Sequence, residues 1–458
     1  MDDRTSNATL KGKTLQTTLM HAPELGSVEI IKDALITIDH DGTISSVLKP
    51  GDPYYETALA TDNLVKTAKR QYLLPGFVDL HIHAPQWPQL GKALDVPLEV
   101  WLQKHTFPLE ARYEDSVFAE RVYGDLVSSL LAHGTTSAVY FATIHQDATR
   151  TLADICLNLG QRAFIGKVAM DNEDQCPDFY RDADAAAALD GTRAFVDYVL
   201  SMPGNDAGLI RPVITPRFIP SCTDAVLSGL GQMAADYGCH VQTHCSESDW
   251  EHAYVLERTG KTDTEALDNF GLLGRHTVLA HSNFLSDDDM DLIHSRGSGV
   301  AHCPLSNVYF SNAVFPLRRA LEKSVRVGLG TDISGGPSAS MLDSCRHAIS
   351  ASRNLEEGVD PSQSSDQRGT PDSRISFREA FHLATAGGAD VLDIPVGRFA
   401  KGCKLDAILV DADNQAAPIS IDETMDSQDD ILQKIINGAT RANISTTWVA
   451  GRAVHQQA

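Results

Sequence analysis

Short apolar runs alternate with longer stretches of helical periodicity through the middle of the chain. This alternation is typical of βα units, which assemble into a parallel sheet. The eight runs are Gly76–His83, Thr135–Thr143, Ala163–Met170, Ile210–Phe218, His240–Cys245, Thr277–His281, Gly299–Pro304 and Val325–Asp332. Eight such units predict an α/β fold of the (β/α)8 TIM barrel type.

Two helices and one loop can be placed around these strands. Glu114–Ala132 has helical periodicity, and Asp287–His294 follows Ser286, a residue type that favours the N-cap position. The segment Arg353–Arg374 is polar, contains Pro and Gly, and lacks apolar periodicity. We therefore predict a surface loop there.

The two ends of the chain have the pattern of short β-strands. Ala34–Ile38 and Ile44–Val47 flank an Asp-Gly turn signal, and Asp406–Val410 and Thr446–Val454 are apolar runs broken by turn residues. We expect both ends to form one small β-sandwich-like satellite domain around the barrel. The expected ranges are 1–72 and 395–458 for the satellite domain and 73–394 for the barrel.

Composition excludes several functional classes. A chain of 458 residues accommodates a barrel of ~250 residues with a satellite domain. The formal net charge of -23 would repel nucleic acid and anionic membrane surfaces, and no run approaches the ~20 apolar residues of a membrane span. Residues 1–10 lack the basic start and apolar core of a secretory signal, so we expect a cytosolic protein. The eight cysteines include no CxxC pair and are expected to be reduced thiols.

The first predicted strand of the barrel ends in a pair of histidines. Because side chains alternate along a strand, Asp79, His81 and His83 share one face. Two imidazoles could therefore converge on one cation. In a chain with 17 histidines, a hydrogen-bonded structural role is the alternative for such a pair.

Three later predicted strands also end in polar residues. His244 and His281 lie at the ends of the fifth and sixth strands, Asp332 ends the eighth, and Glu247 lies three residues beyond His244. In a barrel these strand ends meet at the C-terminal face. Three imidazoles and one carboxylate suit Zn²⁺ with an open position for water. The glycines of the eighth strand are expected to leave room for a ligand.

The motifs at these strand ends appear in the order typical of a known family. PGFVDLHIH, THCSE, LAHSN, AHCPLSN and GLGTD span most of the chain, which resembles the amidohydrolase superfamily. Three narrower segments are similar to those of its guanine deaminase branch, namely His83–Pro88, Trp101–Glu110 and Thr215–Phe218. The resemblance implies hydrolytic deamination of guanine to xanthine and ammonia, one Zn²⁺ per chain, and a homodimer.

The resemblance also implies roles for individual residues. The expected zinc ligands are His81, His83, His244 and Asp332. The expected catalytic residues are Glu247 as the proton-shuttling acid, His281 as a hydrogen-bond donor to the attacking oxygen, and Asp332 as the acceptor of the proton of water. The implied substrate-binding residues are His83, Ala84, Pro85, Gln86, Arg217, Phe218, His244 and Asp332.

Several alternatives stay open at this point. Arg217 could form an ion pair with a nearby acid, and His105 could be a surface histidine rather than part of the pocket wall. The metal cage does not encode the substrate, so the chain could deaminate another heterocycle such as 8-oxoguanine or a triazine. It could also be an inactive scaffold, or use another divalent metal such as Fe²⁺. The unrelated zinc deaminases carry a PCxxC motif, which this chain lacks.

Overall fold

The computed structural model describes residues 9–311 and 313–457. Residues 1–8, which make up most of the segment without a secretory pattern, lie outside the described residues. Within the described ranges, no helix combines the length and apolarity needed to cross a bilayer.

The strands of the described chain form two sheets. In chain order, the strands are β1 (Thr14–His21), β2 (Glu29–Ile38), β3 (Ile44–Leu48), β4 (Leu64–Lys66), β5 (Gln71–Pro75), β6 (Phe77–His83), β7 (Thr135–Phe141), β8 (Arg162–Gly166), β9 (Val168–Ala169), β10 (Ile210–Pro216), β11 (His240–Cys245), β12 (Thr277–His281), β13 (Gly299–His302), β14 (Arg326–Leu329), β15 (Ala407–Asp411), β16 (Ile444–Val449) and β17 (Arg452–Gln456).

The larger sheet is the predicted barrel. Its order is β6-β7-β8-β10-β11-β12-β13-β14, with the short β9 extending the pairing of β10, and all of its ladders are parallel. Every residue of β6, β7 and β12 is buried, because helices cover the outside and side chains fill the inside. Burial on both faces explains why these strands read as continuous apolar runs, and the barrel prediction is confirmed.

The barrel closes between its first and last strands through backbone groups at the C-terminal mouth. Among the described residues no ladder joins β6 to β14. Instead, the backbone N–H of Asp332 donates to the carbonyl of His81 at 2.9 Å, and the N–H of His83 donates to the carbonyl of Ile333 at 2.8 Å. Predicted site residues therefore form the seam of the barrel.

Two further features hold this seam together. The buried carboxylate of Asp79 accepts hydrogen bonds from the backbone N–H of Thr331 at 3.0 Å and from its hydroxyl at 2.5 Å. A Cβ atom at Gly330 would lie 2.9 Å from the Cβ of His81. The space at this glycine is thus occupied by the first strand and not by a ligand, so the expectation for the eighth-strand glycines is wrong at this position.

The smaller sheet combines both ends of the described chain. Its order is β17-β16-β15-β5-β1-β2-β3, with β4 beside β1, and β2 and β3 form the predicted hairpin. Leu15, Ile36 and Leu73 from the first part pack with Leu409 and Trp448 from the last part in one apolar cluster. The prediction of a satellite sheet built from both ends is confirmed.

The helices lie mainly after the barrel strands. Their bounds are α1 (Tyr55–Leu59), α2 (Leu98–Trp101), α3 (Phe107–Glu110), α4 (Ser116–Ala132), α5 (Gln146–Leu159), α6 (Ala185–Leu200), α7 (Asp224–Tyr237), α8 (Asp249–Thr259), α9 (Asp263–Asn269), α10 (Asp287–Arg296), α11 (Pro304–Ser306), α12 (Leu317–Glu322), α13 (Met341–Glu357), α14 (Phe377–His382), α15 (Gly388–Leu392) and α16 (Gln428–Gly438). Single π-helical turns span Leu102–Thr106, Asn307–Ser311 and Leu383–Gly387, and 3-10 turns span Ala84–Gln89, Ala111–Glu114, Ile219–Ser221 and Arg441–Asn443.

Both predicted helices are present. The predicted helix Glu114–Ala132 corresponds to α4, and Ser286 caps α10 in a capping box with Asp289. The predicted loop Arg353–Arg374 is wrong for its first five residues, because α13 continues to Glu357. That helix ends at Gly358, whose φ of +65° favours glycine.

Candidate active site

The four predicted zinc ligands meet at the C-terminal mouth of the barrel. The Nε2 atoms of His83 and His244 are 3.0 Å apart. Oδ1 of Asp332 lies 3.2 Å from Nε2 of His81 and 3.7 Å from Nε2 of His83. Residues from the first, fifth and eighth barrel strands are thereby brought together, as the strand-end pattern predicts.

His281 and Glu247 lie at the same point. Nε2 of His281 is 3.6 Å from Oε1 of Glu247 and 3.9 Å from Oδ2 of Asp332. His281 and Asp332 have φ values of +68° and +49°, a region that non-glycine residues seldom occupy. The backbone turns sharply at both strand ends, next to the side chains that face the site.

The donor set fits a divalent cation. Three overlapping groups, His81–His244–His281, His81–His83–Asp332 and Glu247–His281–Asp332, each have ligand atoms within 4.8 Å of one another. The buried Nε2 atoms of His81 and His281 have no hydrogen-bond partner among the described residues. Burial holds the pKa values of His81, His83 and His244 well below their usual range, so these rings are neutral, as metal ligands must be.

Hydrogen bonds to the surrounding residues orient two of the imidazoles. Nδ1 of His244 donates to the carbonyl of Arg217 at 2.6 Å, which leaves the lone pair of Nε2 for a metal. Nδ1 of His281 donates to Oδ1 of Asn307 at 2.9 Å, and Asn307 is fixed in turn by its donation to Asn283. Nε2 of a neutral His281 is therefore an acceptor. The hydrogen-bond donation expected of it from the sequence requires the imidazolium form.

Two buried carboxyl groups face each other across the site with different electrostatic surroundings. Burial, together with the charge of Asp332, raises the pKa of Glu247 well above its usual range. Burial also raises the pKa of Asp332, to about 6, and the charge of His281 opposes this rise. A protonated Glu247 beside an ionised Asp332 gives one proton donor and one proton acceptor in the same site.

A pocket of about 380 Å³, counted to its open mouth, lies directly over this cluster. The helical segment between β6 and α4 forms one wall. The pocket is lined by His83, Gln86, Leu98, Trp101, Leu102, Arg217, Phe218, His244, Glu247, Phe310, Asp332 and Gly335. Five apolar or aromatic side chains and six polar or charged ones line it, so it offers both stacking surfaces and hydrogen-bonding groups to a small planar ligand.

The structure separates the predicted substrate-binding residues into two sets. His83, Gln86, Arg217, Phe218, His244 and Asp332 line the pocket. Ala84 and Pro85 do not line it. They belong to the buried 3-10 turn that holds Gln86. His105 is exposed and lines a separate surface groove, in agreement with its interpretation as a surface histidine.

Sequence reasoning gave no role to Glu110, which is fully buried beside the pocket. Its carboxylate accepts from Nη1 and Nη2 of Arg217 at 2.6 and 3.1 Å, and from Nε2 of Gln86 at 2.9 Å. The alternative of an ion pair for Arg217 is therefore correct, although Arg217 lines the pocket as well. Burial alone lowers the pKa of Arg217, but the charge and hydrogen bonds of Glu110 raise it overall. The only signal for Glu110 in the sequence was its place at the end of the segment Trp101–Glu110.

Comparison with known proteins identifies the family of this chain. The model of the amidohydrolase family matches residues 72–454. The chain belongs to the amidohydrolase family, whose members are hydrolases.

Within that family the chain groups with the guanine deaminases. It is 37% identical to guanine deaminase of Dictyostelium discoideum, over 96% of this chain and 98% of that relative. It is 34% identical to guanine deaminase of Homo sapiens, over 95% of each chain. A crystal structure of guanine deaminase from C. acetobutylicum with bound guanine is similar with a TM-score of 0.85 and 30% identity, and the match covers 97% of this chain and 100% of that chain.

Proposed function

We propose that this chain catalyses the hydrolytic deamination of guanine to xanthine and ammonia with one zinc ion per chain. The observation that carries the proposal is the convergence of His81, His83, His244 and Asp332 below a pocket with Gln86 and Arg217 on its wall. Similarity to guanine deaminases over nearly the whole chain supports the same substrate.

The four ligand residues would hold the ion through three neutral imidazoles and one carboxylate. A bound Zn²⁺ supplies an activated water, whose pKa falls from 15.7 towards about 7. Asp332 would accept a proton from the attacking water. Glu247 is the acid that carries a proton to the substrate, because burial raises its pKa and favours its protonated form.

The reaction adds the oxygen of water to the ring carbon that bears the exocyclic amine. Glu247 gives its proton to the neighbouring ring nitrogen, so negative charge does not accumulate there. Burial lowers the pKa of His281, so its Nε2 first accepts a hydrogen bond from the attacking water and can donate one to the added oxygen only after it has taken up a proton. The carbon–nitrogen bond then breaks, the amine takes the proton held by Asp332 and leaves as ammonia, and the hydroxyl proton passes to Glu247 as the ring carbon becomes a carbonyl.

Substrate recognition rests on three pocket residues. Arg217 and Gln86 donate hydrogen bonds to the purine edge, and Phe218 stacks on the base. The proposed metal ligands below them do not discriminate among aminated heterocycles, so Arg217, Gln86 and Phe218 set the preference for guanine.

The test is an absorbance assay of guanine conversion to xanthine on protein of measured metal content. We expect about one metal ion per chain, loss of turnover on chelation, and recovery on adding zinc. Parallel assays with adenine, cytosine, 8-oxoguanine and a triazine test the rival substrates. Preference for one of these would replace guanine as the substrate, and a metal-free chain without any turnover would indicate a scaffold.

We also propose that the protein is a cytosolic homodimer. The resemblance to guanine deaminases supports this assignment. A sedimentation mass of two chains is the expected result, and a mass of one chain would contradict it.

A further inference from the structure

We propose that Glu110 is a positioning residue that sets substrate specificity. It holds Gln86 and Arg217 in fixed orientations, so that together they present only hydrogen-bond donors to the 6-position of the purine. The inference deepens the proposed function and rests on it. An acid outside the metal site thereby determines whether the pocket accepts a 6-oxo or a 6-amino purine.

Glu110 determines which donors of Arg217 remain for a ligand. Its two carboxylate oxygens engage Nη1 and Nη2, the end-on side of the guanidinium. The remaining pair is the Nε–H and the outer N–H of Nη2, which lie side by side in a second fork. Nε of Arg217 has no hydrogen-bond acceptor among residues 9–311 and 313–457. A free fork of two donors matches a carbonyl oxygen.

Glu110 also fixes the amide of Gln86. Nε2 donates to the Glu110 carboxylate at 2.9 Å, and Oε1 accepts from the backbone N–H of Ser334 at 3.1 Å. Rotation of the amide by half a turn would bring its oxygen against the carboxylate and its NH₂ against an N–H donor. The observed orientation is therefore enforced, and the second N–H of Gln86 remains for the ligand.

The resulting wall of donors accepts a carbonyl and rejects an amine. Guanine carries an acceptor oxygen at its 6-position, whereas adenine and 2,6-diaminopurine carry a donor amine there. A buried site built to donate rejects a donor strongly, because the polar groups on both sides remain unpaired. 2,6-Diaminopurine retains the 2-amino group of guanine, so it isolates recognition at the 6-position.

The effect of Glu110 on recognition can be separated from the metal site. Glu110 lies at the end of α3 and makes no contact with the four predicted ligands in its hydrogen-bond or ion-pair network. His244 is held by the backbone carbonyl of Arg217, and a side-chain change at position 110 leaves that carbonyl in place. Metal content should therefore stay constant while specificity changes.

The experiment compares Glu110→Gln with the wild-type protein on guanine and 2,6-diaminopurine. An amide at position 110 cannot accept from Gln86 and both nitrogens of Arg217 together. We expect KM for guanine to rise at least ~10-fold, kcat to change less than ~3-fold, and the ratio of kcat/KM values for guanine over 2,6-diaminopurine to fall at least ~10-fold. Glu110→Asp, which keeps the charge, should restore part of this ratio.

Asp406→Asn is the matched control. Asp406 is likewise buried and engages Arg162 through both of its oxygens, but it lies away from the pocket. This control should lower the melting temperature without changing the substrate ratio. An equal change of the ratio in Asp406→Asn would show that lost stability alone explains the result, and would overturn the proposal.

Two outcomes separate this inference from the proposed function. If the metal-loaded wild-type protein does not convert guanine, the proposed function fails and the inference fails with it. If the wild-type protein converts guanine and Glu110→Gln keeps the wild-type ratio, only the inference fails. Should Glu110→Gln not fold, Glu110→Asp decides, because it keeps the charge but withdraws the carboxylate from Gln86 and Arg217. A wild-type ratio in Glu110→Asp would then overturn the proposal.

Discussion

Burial of the Glu247 carboxyl group favours the protonated form that a proton donor needs. Its backbone is held on both sides, by donation of its N–H to Glu251 at 2.7 Å and by acceptance at its carbonyl from Asn283 at 2.9 Å. The side chain is free to face the pocket, where burial favours its neutral form. A fixed backbone and a raised pKa together suit a proton donor.

We predict that Glu247→Gln lowers kcat for guanine at least ~10²-fold and leaves the metal content near one per chain. Glutamine has the same shape but cannot deliver a proton. Steady-state kinetics with metal analysis measures both quantities. Glu257→Gln changes an exposed residue of α8 and serves as the control, with turnover expected to be unchanged. Wild-type turnover in Glu247→Gln would remove Glu247 from the mechanism.

Residues of the site differ in how well the sequence reveals them. His81, His83 and Asp332 were predictable because strand alternation and strand ends place them by local rules. Glu110 was not, because its partners Gln86 and Arg217 are 24 and 107 positions away along the chain. A buried acid with a distant partner leaves no periodic signal in the sequence.

At the scale of elements, the start of β11 is joined to the end of α15 through one histidine. Nε2 of His240 donates to the carbonyl of Leu392 at 3.1 Å, close to Arg211, His276 and Asp393. Burial lowers the pKa of His240 to about 4, with a smaller contribution from His276. The folded protein therefore keeps this imidazole neutral under mildly acidic conditions.

This environment predicts a dependence of stability on pH. In the unfolded chain His240 takes up a proton near pH 6.5, whereas in the folded chain it does so only near pH 4. The contribution of His240 to the free energy of unfolding is therefore complete above about pH 6.5. It decreases as the pH falls towards 4, by up to about 3 kcal/mol. His240→Gln keeps an N–H donor but cannot titrate, so we expect a flatter profile in urea denaturation between pH 7 and 5. The other histidines titrate in the wild-type protein and in His240→Gln alike, so a difference between the two stability profiles reports on His240. Parallel profiles of the two proteins would contradict the prediction.

Elements were predictable where a single period applies. Strands buried on both faces gave eight apolar runs, and α4 and α10 gave helical periodicity with recognisable caps. The segment from Ala84 to Glu114 passes through 3-10, α, π and again α and 3-10 turns, so no single period describes it. This segment supplies Leu98, Trp101 and Leu102 to the pocket. The secondary structure of this segment therefore escaped prediction, although the segment shapes the pocket.

At the scale of the whole molecule, a buried ion pair joins the satellite sheet to the barrel. Nε and Nη2 of Arg162, at the start of β8, donate to the carboxylate of Asp406 at 3.1 to 3.2 Å. Asp406 also accepts from the backbone N–H of Ala450 at 2.8 Å. One carboxylate therefore ties together the barrel and two segments from the last part of the chain.

We predict that Asp406→Asn lowers the free energy of unfolding by about 3–5 kcal/mol, because it leaves Arg162 buried without a counter-charge. Denaturation by urea measures this loss. Turnover per folded, metal-loaded chain should remain at the wild-type value, since the pair lies at the opposite end of β8 from the pocket. Asp178→Asn removes an exposed ion pair with Arg181 and should change stability little. An equally small loss in Asp406→Asn would contradict the structural role of the pair.

The seam between β6 and β14 has a consequence for biosynthesis. The proposed metal ligands lie at the start and the end of the barrel sequence, so a nascent chain on the ribosome holds His81 and His83 long before Asp332 is translated. At about 5–20 residues per second, that interval lasts on the order of tens of seconds. If these residues hold the ion as proposed, we expect its acquisition to be a late event in the maturation of the enzyme, after the synthesis of the last barrel strand.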